Sequence, residues 1–362
     1  METQEHVLPL AGEIKKRLEQ KGWQQQELAD VIGISLKHIN QILGAKVPLN
    51  YEIASKIAEI LGETPIYWMD LYLKQNPSEG KSQKDQELEI RKQIYEHMPI
   101  LEMQKRKILP KHKSSMDLQK SVLNFWGWKE LDFSLLEGSE LPAFRRSPDR
   151  IFNDYFTLTW YHYAKKKAGE RHLKKPFQKE EFLKFLDSLP SYLPYPERIT
   201  EFLNQLQNLG VIFFILPHFK QTYIDGAAFL SGSHPVVVLT LRFSRLDSFW
   251  FYLLHELGHV AKHMDQNFTG SVTVENSTEG EKEKEANEFA GFYLKKEELY
   301  GWARKFSSIP DQEIEKISRN LSLHPASVKG ILARGGFIQY NRIHSGNVDM
   351  KKLLDEKYFV EG

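Results

Sequence analysis

Apolar residues recur three or four positions apart from about residue 10 to residue 70, which is the spacing of amphipathic helices. The pattern predicts four short helices, each ending near a glycine, because glycine tolerates the positive φ that is common at helix ends. The four glycines are Gly22, Gly33, Gly44 and Gly62. We therefore predict a compact all-α domain over residues 1–75.

Beyond this domain the pattern of apolar positions changes twice. Residues 76–120 begin with the break Asn76-Pro77-Ser78 and continue with polar helical segments, which predicts a linker or helical connector. Helical spacing returns over residues 121–209. Three stretches rich in β-branched and aromatic residues then predict strands. They lie at residues 211–216, 226–230 and 235–241.

The remaining segments complete the predicted organisation. Residues 210–310 combine the strands with apolar helices and form the predicted core, and residues 311–362 form a C-terminal helical region. The fold class is therefore predicted as α+β and mostly helical, with an N-terminal all-α domain followed by a domain with a small sheet.

The second and third predicted helices have the internal spacing of a helix-turn-helix. Ala29 is small where the helices would cross, Gly33 makes the turn, and Ile39 faces the core. Ser35 stands where it can cap the third helix. The polar residues of this helix pair could then face a groove of DNA. The candidates for DNA contact are Gln25, Ser35, Lys37, His38, Asn40 and Gln41.

The net charge of this domain argues against DNA binding. Residues 1–70 hold seven lysines and arginines against ten aspartates and glutamates, a net charge of −3. Phosphate contacts normally dominate affinity for DNA, so a helical protein-interaction or dimerisation module is the alternative. Lys37 and Lys46 nevertheless flank the proposed recognition helix, and the spacing favours operator DNA as the partner. Since helix-turn-helix proteins usually bind as dimers, we expect a homodimer.

The segment His255-Glu256-Leu257-Gly258-His259 lies in an apolar run that is typical of a buried helix. Positions four apart share one helix face, so both imidazoles can point at one site with Glu256 beside them. Two neutral imidazoles and a carboxylate suit zinc, and a carboxylate near the metal can take a proton from water. Such a short motif also arises by chance. Burying these groups without a partner would be costly, however, and a metal removes that cost.

A third zinc ligand is expected on the downstream acidic run, since the chain contains no cysteine. This run spans residues 278–290 and opens a predicted helix. Glu283 and Asn287 lie four apart, so Glu283 could bind zinc while Asn287 holds an imidazole of the first helix. Glu285 is the runner-up and Glu279 the third choice. The alternative for the whole run is a solvated acidic face.

Four further residues near the motif are candidates for other roles. His263 lies one turn beyond His259 and is predicted to cap the helix or support a ligand rather than to bind metal. Arg242 ends the last predicted strand, where it could contact substrate, although an ordinary salt bridge is the alternative. Tyr223 and His234 are candidate donors to a transition state. An edge strand of the small sheet could bind an extended peptide.

The overall composition indicates the cellular compartment of the protein rather than its chemistry. The chain has 362 residues and a net charge of +1, so total charge indicates no particular partner. The lack of cysteine fits a reducing compartment and excludes a disulfide scaffold and thiolate zinc sites. The N-terminus is polar and acidic, unlike a signal peptide, and the apolar runs are only strand-sized. We therefore expect a cytoplasmic protein without a membrane segment.

Taken in order, these segments resemble two known families. Residues 7–75 are similar to helix-turn-helix proteins of the XRE and HigA antitoxin type, and residues 180–340 resemble ImmA/IrrE-type metallopeptidases. The segments that carry the resemblance are Gln25-Gln26-Glu27-Leu28-Ala29, Ile34-Ser35, Ile39, His255-Glu256-Leu257-Gly258-His259, Glu283-Lys284-Glu285-Ala286-Asn287 and His324-Pro325.

The second resemblance implies a zincin-like core over residues 210–310, with His255, His259 and a downstream glutamate as zinc ligands and Glu256 as the general base. The whole arrangement implies a transcriptional regulator whose zinc endopeptidase domain cleaves a partner repressor or toxin. The alternative is an antitoxin-like DNA-binding repressor whose metal domain senses or binds a partner without proteolysis.

Overall fold

The computed structural model describes residues 9–75, 83–136, 153–264, 270–274 and 280–360. The chain divides into two compact units, Met1–Arg91 and Lys92–Gly362, which are described separately below. The finer divisions drawn from the sequence at residues 75, 120, 209 and 310 stay predictions. Among the described residues, no helix has the length and the apolar character that crossing a membrane requires.

The first unit is all-α and has one hydrophobic core to which each of its first five helices contributes. α2 ends at Gly33, whose φ of 77° is the left-handed conformation that glycine favours. α3 begins after Ser35, whose hydroxyl oxygen accepts a hydrogen bond from the backbone nitrogen of His38 at 3.1 Å. The helices are α1 (Pro9–Lys21), α2 (Gln25–Ile32), α3 (Leu36–Leu43), α4 (Tyr51–Leu61) and α5 (Pro65–Gln75), and α6 (Gln83–His97) contains the boundary between the units.

The helix α5 was not among the four helices predicted for this region. It starts at Pro65, a position where the missing N–H of proline costs nothing. The hydroxyl of Thr64 accepts a hydrogen bond from the backbone nitrogen of Tyr67 at 3.2 Å and so caps the first turn. Trp68 and Tyr72, four residues apart, are both buried. A Thr-Pro start followed by aromatic residues at helical spacing is the signal that would have predicted this helix.

The second unit combines helices with a four-stranded sheet. Its α-helices are α7 (Ile100–Lys105), α8 (Ser115–Trp126), α9 (Asp154–Gly169), α10 (Lys179–Leu186), α11 (Ile199–Asn208), α12 (Leu246–Lys262), α13 (Glu281–Tyr293), α14 (Lys296–Ala303), α15 (Asp311–Asn320), α16 (Pro325–Arg334) and α17 (Met350–Leu353). Its strands are β1 (Ile212–Ile215), β2 (Ile224–Ser231), β3 (His234–Leu239) and β4 (Ser271–Val274).

The strands follow one another across the sheet in the order β1-β3-β2-β4. β1 runs parallel to β3, whereas β2 runs antiparallel to both of its neighbours. The three predicted strands are present with bounds shifted by one or two residues, and the predicted α+β, mostly helical class is confirmed. β4 was not predicted, because four residues with two hydroxyl side chains give too short a pattern to distinguish from a loop.

Helix α12 lies at the centre of the second unit. It is buried along almost its whole length because it packs against β2, β3, α13 and α16. Small residues allow α13 to approach it closely: a Cβ atom added to Gly258 would lie 3.2 Å from the Cα of Ala286 and 3.1 Å from the Cβ of Phe289. The fold therefore brings the polar side chains of α12 against the first turns of α13.

Candidate functional site

Two imidazoles of α12 converge on one point. His255 and His259 lie four residues apart on one face of the helix and are at most 1% exposed. Their Nε2 atoms are 3.2 Å apart. The other faces of α12 pack into the apolar core, so this histidine pair faces α13.

Glu283, in the first turn of α13, completes a cluster of three side chains. Its Oε2 lies 3.1 Å from Nε2 of His255, and its Oε1 lies 3.3 Å from Nε2 of His259. One possible ligand atom from each residue lies within 4.8 Å of the other two. Burial raises the pKa of the Glu283 carboxyl, but its contacts with both imidazoles outweigh burial and lower the pKa to about 2. The third member of the cluster is therefore an anion.

These three residues fit a divalent metal ion. Nδ1 of His255 lies 3.0 Å from the side-chain oxygen of Asn287, which can accept a hydrogen bond from Nδ1, and a neutral ring with its hydrogen on Nδ1 would keep the Nε2 lone pair for a metal. Burial lowers the pKa of both imidazoles. At His255 the contact with Glu283, the charges of Glu256 and Glu283 and the contact with Asn287 together outweigh burial and raise the pKa, whereas the pKa of His259 stays below its usual range. Two imidazole nitrogens and a carboxylate are the donor set that zinc takes in hydrolytic sites.

Glu256 lies beside the cluster and is fully buried. Its Oε1 accepts a hydrogen bond from the hydroxyl of Thr273 at 2.7 Å, and its Oε2 has no hydrogen-bond partner among the described residues. A Cβ atom on Gly226 of β2 would lie 2.5 Å from Oε1, so a larger residue at this position would displace the carboxyl group from its present place. Burial raises the pKa of Glu256 to about 8. The carboxyl thus has one oxygen held and one oxygen open to a proton.

Thr273 is a site residue that the sequence pattern did not indicate. It lies on β4, opposite Gly226 of β2 in the antiparallel ladder. This pairing brings its hydroxyl to Glu256, 17 positions earlier in the chain. Only knowledge of the strand pairing could have found it.

His263 and Glu285 meet outside the three-residue cluster. Nδ1 of His263 lies 3.0 Å from Nδ1 of His259, and Nε2 of His263 lies 2.6 Å from Oε2 of Glu285. The structure therefore places Glu285, the runner-up ligand, on His263 and away from the convergence point of the two Nε2 atoms. Glu279, the third choice, lies outside the described residues.

Arg242 forms an ion pair with Asp225. Its Nε and one terminal nitrogen donate to the two carboxylate oxygens at 2.9 and 3.1 Å, and the two side chains are 11% and 1% exposed. This geometry is that of the salt bridge considered as the alternative to substrate contact.

His234 and Tyr223, the two candidate donors to a transition state, lie at the start of β3 and just before β2. His234 bonds through Nδ1 to the carbonyl oxygen of Gly210 at 2.9 Å. It starts β3, five residues and roughly 17 Å along the strand from the end that pairs with Gly226. Tyr223 immediately precedes β2, three residues from Gly226.

In the first unit, the residues predicted to contact DNA lie on and around α3. Lys37 and Asn40 are exposed, and His38 and Gln41 are half-buried. Lys37, Asn40 and Gln41 line a shallow depression together with Lys46. The hydroxyl of Ser35 is engaged as the helix cap, and Gln25 is half-buried at the start of α2.

Comparison with known families agrees with both halves of this description. Residues 14–68 match the family model described as Helix-turn-helix. Residues 207–305 match the model of peptidase family M78, described as IrrE N-terminal-like domain. No curated protein and no solved structure matches the chain.

The fold, the site and the family matches together define a class of protein: a DNA-binding helix-turn-helix domain joined to a metallopeptidase-like domain. More particularly, the two matched segments are of the XRE-type helix-turn-helix and IrrE/ImmA-like kinds, and the combination predicted from the sequence is confirmed.

Proposed function

We propose that this chain is a cytoplasmic transcriptional regulator whose first unit binds operator DNA as a homodimer. Its second unit is a zinc-dependent endopeptidase that cleaves a partner regulatory protein, either a repressor or a toxin. The observation that carries the proposal is the convergence of His255, His259 and Glu283, with the buried carboxyl of Glu256 beside them.

Each polar residue of the site in the second unit would have its own role in hydrolysis of the peptide bond. Zinc held by His255, His259 and Glu283 would supply a Lewis acid that polarises the scissile carbonyl. Glu256 takes a proton from the attacking water at Oε2, while Thr273 holds Oε1 in place. The same carboxyl then passes the proton to the nitrogen of the leaving amine.

An extended peptide is the form of substrate that the sheet suits best. β4 stands at one end of the strand order and contacts Glu256 through Thr273, whereas β1 at the other end is bridged by Phe359. A peptide strand that adds to β4 would be held by backbone hydrogen bonds and would pass beside Glu256.

The test of this proposal is the variant Glu256→Gln, which keeps the shape of the side chain but cannot take a proton. We expect zinc content to stay unchanged and cleavage to fall at least about 100-fold, the usual contribution of a general base. The full chain would be added to an extract of its source cells, and new protein N-termini would be identified by terminal-amine mass spectrometry. Proteins encoded next to the gene are the first candidates to inspect.

A matched control for this experiment is Glu288→Gln, since Glu288 is an exposed glutamate on α13. It should yield the same new N-termini as the wild type. If Glu256→Gln also yields the wild-type set, Glu256 is not the general base and the proposed mechanism fails.

A second function is favoured by the enclosure of the site. His255, Glu256 and His259 are each at most 1% exposed. This enclosure suits an antitoxin-like DNA-binding repressor whose metal domain senses or binds a partner without cutting it. Repression of a reporter in cells separates the two functions: a non-cutting repressor tolerates Glu256→Gln but loses repression with Asn40→Ala.

A further inference from the structure

His259 has another imidazole as its outer partner. Its Nδ1 lies 3.0 Å from Nδ1 of His263, and both rings are buried. His255, in contrast, faces the side-chain oxygen of Asn287. An amide oxygen can only accept a hydrogen bond, whereas an imidazole nitrogen either donates or accepts. The contact between the two Nδ1 atoms therefore allows two arrangements: the hydrogen between them belongs either to His259 or to His263.

The two arrangements have opposite consequences for the cluster. When the hydrogen lies on Nδ1 of His259, its Nε2 presents a lone pair toward His255 and Glu283. When the hydrogen lies on Nδ1 of His263, a neutral His259 carries its own hydrogen on Nε2. That hydrogen points into the cluster, where it prevents Nε2 from binding a metal.

Glu285 decides between these arrangements. Its Oε2 lies 2.6 Å from Nε2 of His263, and because a carboxylate only accepts, the hydrogen of a neutral His263 must lie on Nε2. Nδ1 of His263 is then a lone pair, so Nδ1 of His259 must donate to it.

We propose that Glu285 and His263 are positioning residues for the metal site: two hydrogen bonds in series, from His259 to His263 and from His263 to Glu285, hold His259 in the tautomer whose Nε2 can bind zinc. This inference rests on the proposed function, in which His255, His259 and Glu283 hold the metal. Glu285 acts through His263 from a side chain that is 45% exposed, at the rim of a buried site.

The first experiment measures metal affinity in the variant Glu285→Ala of the full chain. Removing an outer partner of a metal ligand typically costs about 10- to 100-fold in affinity, and we expect a loss in this range. Binding of Co²⁺ is followed by its visible absorption, and binding of Zn²⁺ by competition with a chelator, so neither measurement depends on cleavage. The control Glu288→Ala, at an exposed glutamate of the same helix, should bind both ions like the wild type.

The second experiment separates positioning from a merely structural role of Glu285. In His263→Gln, an amide oxygen can accept from Nδ1 of His259, as Asn287 does for His255. We expect this variant to bind Co²⁺ within about threefold of the wild type, well inside the loss from a missing outer partner. Adding Glu285→Ala to His263→Gln should then cause no further loss of metal affinity, because the relay, meaning the two hydrogen bonds in series from His259 through His263 to Glu285, is already bypassed. A contribution of Glu285 to the folding of α13 would persist in the double variant.

Each outcome of these measurements is decisive. The relay is wrong if Glu285→Ala binds Co²⁺ as tightly as the wild type, or if Glu285→Ala costs as much in the His263→Gln background as it does alone. If the wild type itself binds neither Co²⁺ nor Zn²⁺, the proposed function fails, and the relay fails with it.

Discussion

Helices α12 and α3 both carry polar side chains at helical spacing, but in opposite environments. In α12, His255, Glu256 and His259 are buried, and their partners come from α13 and β4 of the same chain. In α3, Lys37 and Asn40 are exposed beside an open depression. The polar side chains of α12 gain their partners when the chain folds, whereas those of α3 face the solvent.

This difference determines how far geometry can assign chemical roles. Burying a polar group without a partner is costly, so a buried polar cluster shows in its own contacts what each atom can donate or accept. An exposed polar face carries no such record, because water satisfies every group. The candidate metal site can therefore be argued atom by atom, whereas the face of α3 offers a candidate position for DNA and indicates no sequence preference.

The most severe test of the comparison removes one member of the buried cluster. In Glu283→Ala we expect Zn²⁺ affinity to fall by more than about 100-fold, beyond the loss that an outer partner causes, because a charged ligand is lost. Chelator competition measures the affinity. Glu288→Ala is the control and should bind like the wild type. An unchanged affinity in Glu283→Ala would show that the three converging side chains do not form the metal site.

A smaller effect is expected on the exposed helix. Asn40→Ala should weaken binding to the DNA sequence that the wild type selects from a random pool by roughly tenfold, since a good side-chain contact to a base contributes about 1–3 kcal/mol. Fluorescence anisotropy of the labelled duplex measures this change. Gln20→Ala, an exposed neutral substitution at the end of α1, is the control. Equal binding by both variants would favour the protein-interaction module over DNA binding.

The smallest expected effect concerns a partly buried histidine of the second unit. Burial, and then the charges of Arg242, Arg106 and Lys351, lower the pKa of His218 to about 4. Above its unfolded pKa of about 6.5 the ring is neutral in both the folded and the unfolded state, so its burial does not reduce the free energy of unfolding. As the pH falls from 6.5 toward 4, the unfolded chain gains a proton that the folded chain does not, and stability decreases.

His218→Gln should remove this acid dependence. Between pH 7 and pH 5 we expect the wild type to lose roughly 1 kcal/mol more than the variant, a value that is reduced because the ring is only partly buried. Urea unfolding at the two pH values measures the difference. His344→Gln, at an exposed position, should behave like the wild type. If the free energy of unfolding of His218→Gln falls between pH 7 and pH 5 by as much as that of the wild type, His218 is not the source of the acid dependence.

The sequence predicted those features that depend on residues close together in the chain. The spacing of His255 and His259 within an apolar run placed both imidazoles on one face of a buried helix. The glycines after α2 and α4, and Ser35 before α3, marked helix ends correctly. The strands β1, β2 and β3 followed from their β-branched and aromatic residues. Each of these signals is local, because backbone conformation and side-chain period act within one or two turns.

The remaining features depend on pairings between distant segments. No local pattern shows that Thr273 would reach Glu256, or that Glu285 would bond to His263 rather than join the cluster with Glu283. Glu283 and Glu285 are two residues apart and therefore point in different directions from α13, and only the position of α12 determines what each one meets. The sequence thus determined the elements and the kinds of chemical groups that they carry. Tertiary packing decided which carboxylate, imidazole or hydroxyl became the partner of which, because those contacts exist only once the helices and strands are brought together.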